Sequence, residues 1–268
     1  MTDPLFTRLH IAALTASLCV IVVFSAFPGL DLAISRAFTA ETGGFRAASV
    51  PAIGLLNAVI RRGLELLAFS CVLLTLAAAL LRWRPASGLR NWVFLSLVLV
   101  TGPGLIVNLL LKEYSGRARP ANVLEFGGAQ PFTPMLRVAE NCSGNCSFSS
   151  GETALSSAVV FALLVLFWPQ LNRSGRGLAL AAGLGLVALT LLLRVSLGRH
   201  FASDVLFSVA ISAFVCLGLY RLTGLAAARA RFTPRALLAD GRVVWHLLRD
   251  KALPRLRRLL PTRGPAVR

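Results

Sequence analysis

Long apolar runs recur six times along the chain, at about 11–27, 64–81, 92–111, 153–168, 178–194 and 202–220. Each approaches the ~20 residues an α-helix needs to cross a hydrocarbon core roughly 30 Å thick. The composition agrees: 56% of residues are hydrophobic, 15% are charged and the mean hydropathy is +0.73. An ordinary globular domain carries about 25% charged residues. The expected fold is therefore all-α, a polytopic membrane protein with six transmembrane helices. The first run could instead be a cleaved leader. Its flank "MTDPLFTRLH" is only weakly basic and no clean small-x-small site follows "VVFSAFPGL", so a retained helix is expected.

Basic residues set the orientation. The segment from Arg221 to Arg268 holds 12 Lys and Arg against Asp240 and Asp250, and "RWRPASGLR" and "NRSGR" are the other short basic connectors. Six spans put all three, with the N-terminus, on one side, which the positive-inside rule makes the cytoplasm. The net charge of +17 then reflects topology and attraction to anionic lipid, and no nucleic-acid partner is expected. The composition break after Tyr220 divides the chain into a transmembrane domain, 1–222, and a basic cytoplasmic tail, 223–268. Leu, Val and Trp mixed with Arg in "LLADGRVVWHLLRDKALPRLRRLL" suggest an amphipathic helix on the inner leaflet.

Three loops remain for the other side, at about 28–63, 112–152 and 195–201. Of five cysteines, Cys19, Cys71 and Cys216 fall in apolar runs and read as packing residues. Cys142 and Cys146 share "CSGNC" in the second outer loop. Zinc would need two more ligands nearby, so a short disulfide on an oxidising side is the better reading.

Charged residues at membrane depth are functional candidates. They gather at the outer ends of spans three to six, in "LLLKEYSGRARP", "SSGE" and "LLLRVSLGRHFASD". Lys112, Arg119 and Arg194 converge there as cations suited to phosphate oxygens, although any one alone could be a snorkelling anchor. "SSG" before a helix offers N–H groups and a positive dipole end, or merely an N-cap. Of three histidines only His200 lies on this side, and Asp204 follows at i+4, where helical geometry would let the two hydrogen-bond. A carboxylate on one ring nitrogen would leave the other as a nucleophile. A metal centre would need more clustered carboxylates or histidines, so the expected site is metal-free and uses no cofactor.

These residues resemble the signatures of the type 2 phosphatidic acid phosphatase (PAP2) superfamily. "KEYSGRARP" fits K-x6-RP, "SSGE" stands in the place of PSGH, and "RVSLGRHFASD" fits SR-x5-H-x3-D except that Leu193 replaces Ser. The resemblance covers about residues 60–220 and implies a phosphohydrolase with a phosphohistidine intermediate and no metal. It implies that Lys112, Arg119, Arg194, Ser150 and the Gly151 amide hold the phosphate, that His200 attacks and that Asp204 orients it. Glu152 replaces the family's histidine, which protonates the leaving oxygen. It can act as general acid, as salt-bridge partner of an arginine in an enzyme whose leaving group needs little help, or mark a dead site. The Glu variant, with "RPANVLEFGG" and "NCSFSSGE", is similar to a subset of bacterial lipid A 4′-phosphatases. The expected partner is a phosphorylated lipid in the bacterial inner membrane, with the site facing the periplasm. Lipid A comes first, then undecaprenyl diphosphate and phosphatidylglycerophosphate. Phosphate transfer to a second lipid, or non-catalytic anion binding, are the alternatives. Arg137, in the long loop, could meet a second phosphate.

Overall fold

The computed structural model describes residues 4–41, 43–247 and 249. Among them six helices are long and apolar enough to cross a membrane. They are α1 (Pro4–Ala26), α3 (Pro51–Leu80), α4 (Leu89–Tyr114), α5 (Gly151–Phe167), α6 (Arg173–Ser196) and α7 (Ala202–Leu222). A short α2 (Gly29–Arg36) follows α1, and α8 (Pro234–Leu247) lies beyond α7. No strand forms among the described residues, so the all-α expectation holds.

Two spans differ from their apolar runs. The 30 residues of α3 begin well before the run at 64 and would reach ~45 Å at 1.5 Å per residue. Arg61, Arg62 and Glu65 punctuate its first half, which hides that half from a hydropathy reading. In α4, Pro103 lies inside a stretch of wide π-helical turns, Val100–Leu111. Proline has no N–H to donate and its ring crowds the preceding turn, so regular α-helical bonding cannot pass through it unchanged.

The bundle centres on α5, which packs against α4, α6 and α7. Ala154, Ala158 and Ala162 recur every fourth residue along it, all fully buried. Small side chains at this spacing let helix backbones approach closely, the main source of association where lipid is as apolar as the helices. Ser212 Oγ donates to the Ala154 carbonyl at 2.9 Å and Ser156 Oγ meets Thr190 Oγ1 at 2.8 Å, tying α5 to α7 and α6. Phe94, Val98 and Leu166 complete the main core. Cys71 and Cys216 are buried as packing residues, whereas Cys19 lies on an exposed face of α1, where an apolar residue contacts lipid rather than core.

The basic connectors meet at one end of the bundle. Asp240 of α8 is 3% exposed and accepts from the Ala86 N–H at 2.6 Å, the Ser87 N–H at 3.1 Å and the Ser87 hydroxyl. Gln170 Nε2 donates to the Arg229 carbonyl at 3.0 Å. The segment after Tyr220 is therefore anchored to the first basic connector and to the chain just before the second. The remainder of the basic tail, 251–268, with the end of its expected amphipathic stretch, lies outside the described residues.

Candidate active site

At the opposite end a cavity of about 720 Å³ opens between α3, α4, α5 and α6. Lys112, Arg119, Arg194, Arg199 and Glu152 line its polar part, and Leu64, Leu99 and Leu155 its apolar part. Three cations from the end of α4, the loop behind it and the last turn of α6 thus share one wall. Lys112 Nζ donates to Asn145 Oδ1 at 2.9 Å and Arg119 Nη2 to the Asn145 carbonyl at 2.7 Å. Arg194 Nη1 pairs with Glu152 Oε1 at 3.0 Å and reaches Asn57 Oδ1 at 3.4 Å. Its Nε is buried with no hydrogen-bond partner. A buried guanidinium N–H left unpaired is costly, and an anion in the cavity would satisfy it.

The start of α5 faces the same space. Ser150 is fully buried as the N-cap, its hydroxyl accepting from the Thr153 N–H at 3.4 Å and meeting Thr153 Oγ1 at 3.0 Å. Gly151, not Ser150, lines the cavity. A Cβ on Gly151 would stand 2.4 Å from Asn108 Oδ1, so only glycine lets Asn108 lie across the helix start. Glu152 also approaches Arg61 Nε of α3 at 3.8 Å. The residue expected as a general acid is thus held between two guanidiniums.

His200 and Asp204 do not make the direct hydrogen bond expected of them. His200 lies in the turn before α7, outside the helix, so i,i+4 helical geometry does not apply. Its Nδ1 is 3.9 Å from Asp204 Oδ2 and 2.6 Å from the Ser147 carbonyl oxygen. A carbonyl only accepts, so Nδ1 carries the hydrogen and Nε2 keeps its lone pair. Asp204 instead accepts from the Phe201 N–H at 2.9 Å and the Ser147 hydroxyl at 2.6 Å, and pairs with Arg117 Nη1. Ser147 links the two, one oxygen to each. His200 is 1% exposed, and burial first, then the charges of Arg194 and Lys112, push its pKa well below 6.5. Both effects favour the neutral imidazole.

Beneath His200 lies a buried ion cluster. Arg117 pairs with Asp204 and, at 2.8 Å, with Asp31 of α2, and it donates to Ser203 Oγ at 2.9 Å and the Thr133 carbonyl at 2.8 Å. Asp31 also accepts from the Ser203 N–H at 2.9 Å. All three ions are at most 1% exposed. Arg117 therefore faces away from the cavity that the other cations line. Arg137 lines a second pocket, of about 290 Å³, with Leu110, Tyr114 and Phe148, apart from the cation cluster. Cys142 and Cys146 are joined by a disulfide. Asp31, Asn57, Arg61, Asn108, Asn145 and Ser147 were not legible as site residues. The one available signal was three charges, Arg61, Arg62 and Glu65, beside an apolar run, which marks a helix continuing past the lipid core.

Residues 92–227 match the model of the PAP2 superfamily. The chain belongs to that superfamily. Over 220 residues this PAP2 protein is 36% identical to a lipid A 4′-phosphatase of Rhizobium leguminosarum, covering 76% of the chain and 91% of the relative. A lipid A 4′-phosphatase of Francisella tularensis subsp. novicida is 37% identical over 119 residues, 42% of the chain and half of the relative. The crystal structure of the first transmembrane PAP2 type phosphatidylglycerolphosphate phosphatase from Bacillus subtilis superposes with a TM-score of 0.51 at 20% identity. The match covers 80% of this chain and 96% of that one, and it shows a shared fold. The PAP2 match and the curated relatives make this chain a membrane lipid phosphatase.

Proposed function

We propose that this PAP2 phosphatase removes a phosphate monoester from lipid A at the periplasmic face of the inner membrane, through a phosphohistidine on His200. Lys112, Arg119, Arg194 and the Gly151 N–H hold the phosphate oxygens, where fixed charge stabilises the five-coordinate phosphorus. His200 Nε2 attacks phosphorus in line, a P–N bond forms, the P–O bond to the lipid breaks and the departing lipid oxygen takes a proton from water. Water then cleaves the P–N bond and releases inorganic phosphate. Ser147 holds the Nδ1–H throughout, and Asp204 acts through Ser147. The observation that carries the reading is this tautomer lock: the Ser147 carbonyl oxygen, 2.6 Å from Nδ1, holds the hydrogen there and leaves Nε2 its lone pair.

The pairing of Glu152 with Arg194 and Arg61 supports an ion-pair role over proton donation. The charge gives Arg194 a partner before substrate arrives. The basic connectors gathered at the far end support the cytoplasmic placement of the tail and the outward placement of the site. The exposed Leu238, Val243 and Trp245 of α8 support its lying on the inner leaflet.

Two measurements test the reading. Labelled lipid A quenched at neutral pH should leave label on the wild-type protein and none on His200→Ala, with turnover abolished in the variant. Mass spectrometry of membrane lipids should show one phosphate fewer on lipid A when the protein is expressed. Substantial turnover by His200→Ala overturns the mechanism; unchanged lipid A with loss of phosphate from undecaprenyl diphosphate or phosphatidylglycerophosphate reassigns the substrate.

A further inference from the structure

The five-residue turn closed by the Cys142–Cys146 disulfide carries no part of the reaction described above, yet it touches two of the cations that do. Asn145 sits inside it with φ +50, a left-handed conformation that asparagine adopts more readily than most residues. Its two oxygens face two different cations. Oδ1 accepts from Lys112 Nζ at 2.9 Å, and the main-chain carbonyl accepts from Arg119 Nη2 at 2.7 Å. Past Asn145 the chain is pinned along the segment that bears those cations. The Cys146 N–H donates to the Lys112 carbonyl at 2.9 Å, and the Ser147 N–H to the Arg117 carbonyl at 2.9 Å. Cys146 is fully buried, so one end of the disulfide is fixed in the protein.

We propose that the disulfide-closed turn Cys142–Cys146 is a positioning element for phosphate binding, with Asn145 setting the Lys112 and Arg119 head groups. Lysine and arginine side chains each have ~2 kcal/mol of rotamer entropy to lose when held in one place. Asn145 fixes both before a phosphate arrives and uses one donor of each. The remaining ammonium and guanidinium N–H groups stay available to the cavity. The disulfide restricts the turn to conformations near the left-handed one, and so keeps the Asn145 carbonyl aimed at Arg119. Asn145 is placed to act through Lys112 and Arg119 rather than on the phosphate itself.

The inference rests on the phosphate-binding role of Lys112 and Arg119, and the experiment separates the two. Full-length protein in detergent is assayed with an aryl phosphate, with orthovanadate as a competing anion, for KM, kcat and vanadate inhibition. Asn145→Gly keeps the left-handed backbone and the carbonyl but removes Oδ1, so only the Lys112 contact is lost. A several-fold weaker vanadate inhibition and higher KM are expected, with kcat changed much less. Asn145→Val disfavours the left-handed turn and should weaken both contacts, giving the larger rise in KM. Reduction by a dithiol, which supplies two electrons and two protons and is itself oxidised to a cyclic disulfide, opens the turn. It should raise KM reversibly in the wild type and leave a Cys142→Ser/Cys146→Ser variant, already at the higher KM, unaffected. Thermal unfolding is followed alongside, so that a KM rise without a fall in Tm reports positioning. Unchanged KM in Asn145→Gly and on reduction, while Lys112→Ala and Arg119→Ala raise it, overturns this inference alone. Unchanged KM in Lys112→Ala and Arg119→Ala overturns the phosphate-binding reading as well.

Discussion

At the level of single residues, His200 and Glu152 show how surroundings fix a role. The folded protein holds the imidazole neutral, with a pKa well below its ordinary 6.5, chiefly by burial. The sign follows from proton counting. On lowering the pH through about 6.5 the unfolded chain binds this proton first, so the stability of the fold decreases from there down toward the folded-state pKa. Above 6.5 both states are neutral and the term vanishes. Denaturation in detergent between neutral and mildly acidic pH should show this loss in the wild type and a smaller one in His200→Asn. An equal slope in both would mean the histidine titrates normally. For Glu152 the ion pairs to Arg194 and Arg61 lead to a kinetic expectation. Glu152→Gln should slow a lipid phosphate and an activated aryl phosphate by similar factors, because what it loses is the organisation of Arg194. A general acid would instead contribute ~10²–10⁴-fold on the poor leaving group and little on the activated one. Such a split between the substrates would restore the proton-donor role.

Among the elements, α2 and α7 are joined by Arg117 rather than by apolar contact alone. Its guanidinium stacks on Phe201 at 4.4 Å from the ring centroid while its nitrogens reach Asp31 and Asp204. The fork geometry suits two carboxylates at once, which a lysine's single ammonium does not. Removing the cation leaves two carboxylates buried without a counter-charge. Breaking one side of such a buried cluster typically costs 3–5 kcal/mol, about what is expected of Arg117→Leu. Chemical denaturation in detergent measures it. A loss within about 0.5 kcal/mol, the range of an ordinary surface substitution, would show that the cluster is protonated or solvated in the membrane. Activity should fall with it, since Asp204 reaches His200 only through Ser147.

For the whole molecule, the separation of a cation-lined cavity from a basic connector end gives a vectorial expectation. In a background lacking Cys19, Cys71 and Cys216, a membrane-impermeant thiol reagent applied to intact spheroplasts should label Ala129→Cys in the loop between α4 and α5. It should not label Ser174→Cys in the first turn of α6. Both positions are exposed, so burial does not confound the comparison. The reverse pattern would place the cavity in the cytoplasm and remove outer-leaflet substrates from consideration.

The six spans and the cluster of charges at one set of their ends were legible in the sequence, for a physical reason. Helix length is set by bilayer thickness, and a charge at membrane depth is too costly to occur without use. The spacing of Lys112, Arg119, Arg194 and His200 along the chain placed them at one level of the bundle. What sequence spacing could not decide was direction. Arg117 lies two residues from Arg119, yet one turns into the protein toward Asp31 and the other toward the cavity. The i,i+4 interval between His200 and Asp204 suggested a direct bond, but α7 begins only at Ala202, so their link runs through Ser147. Arg61 joins the cavity from a helix marked only by the charges beside its apolar run, and Asn145 from a loop that no local pattern marks. Pairing inside a folded protein depends on which side chains packing brings within about 3 Å, and only the tertiary structure settles that.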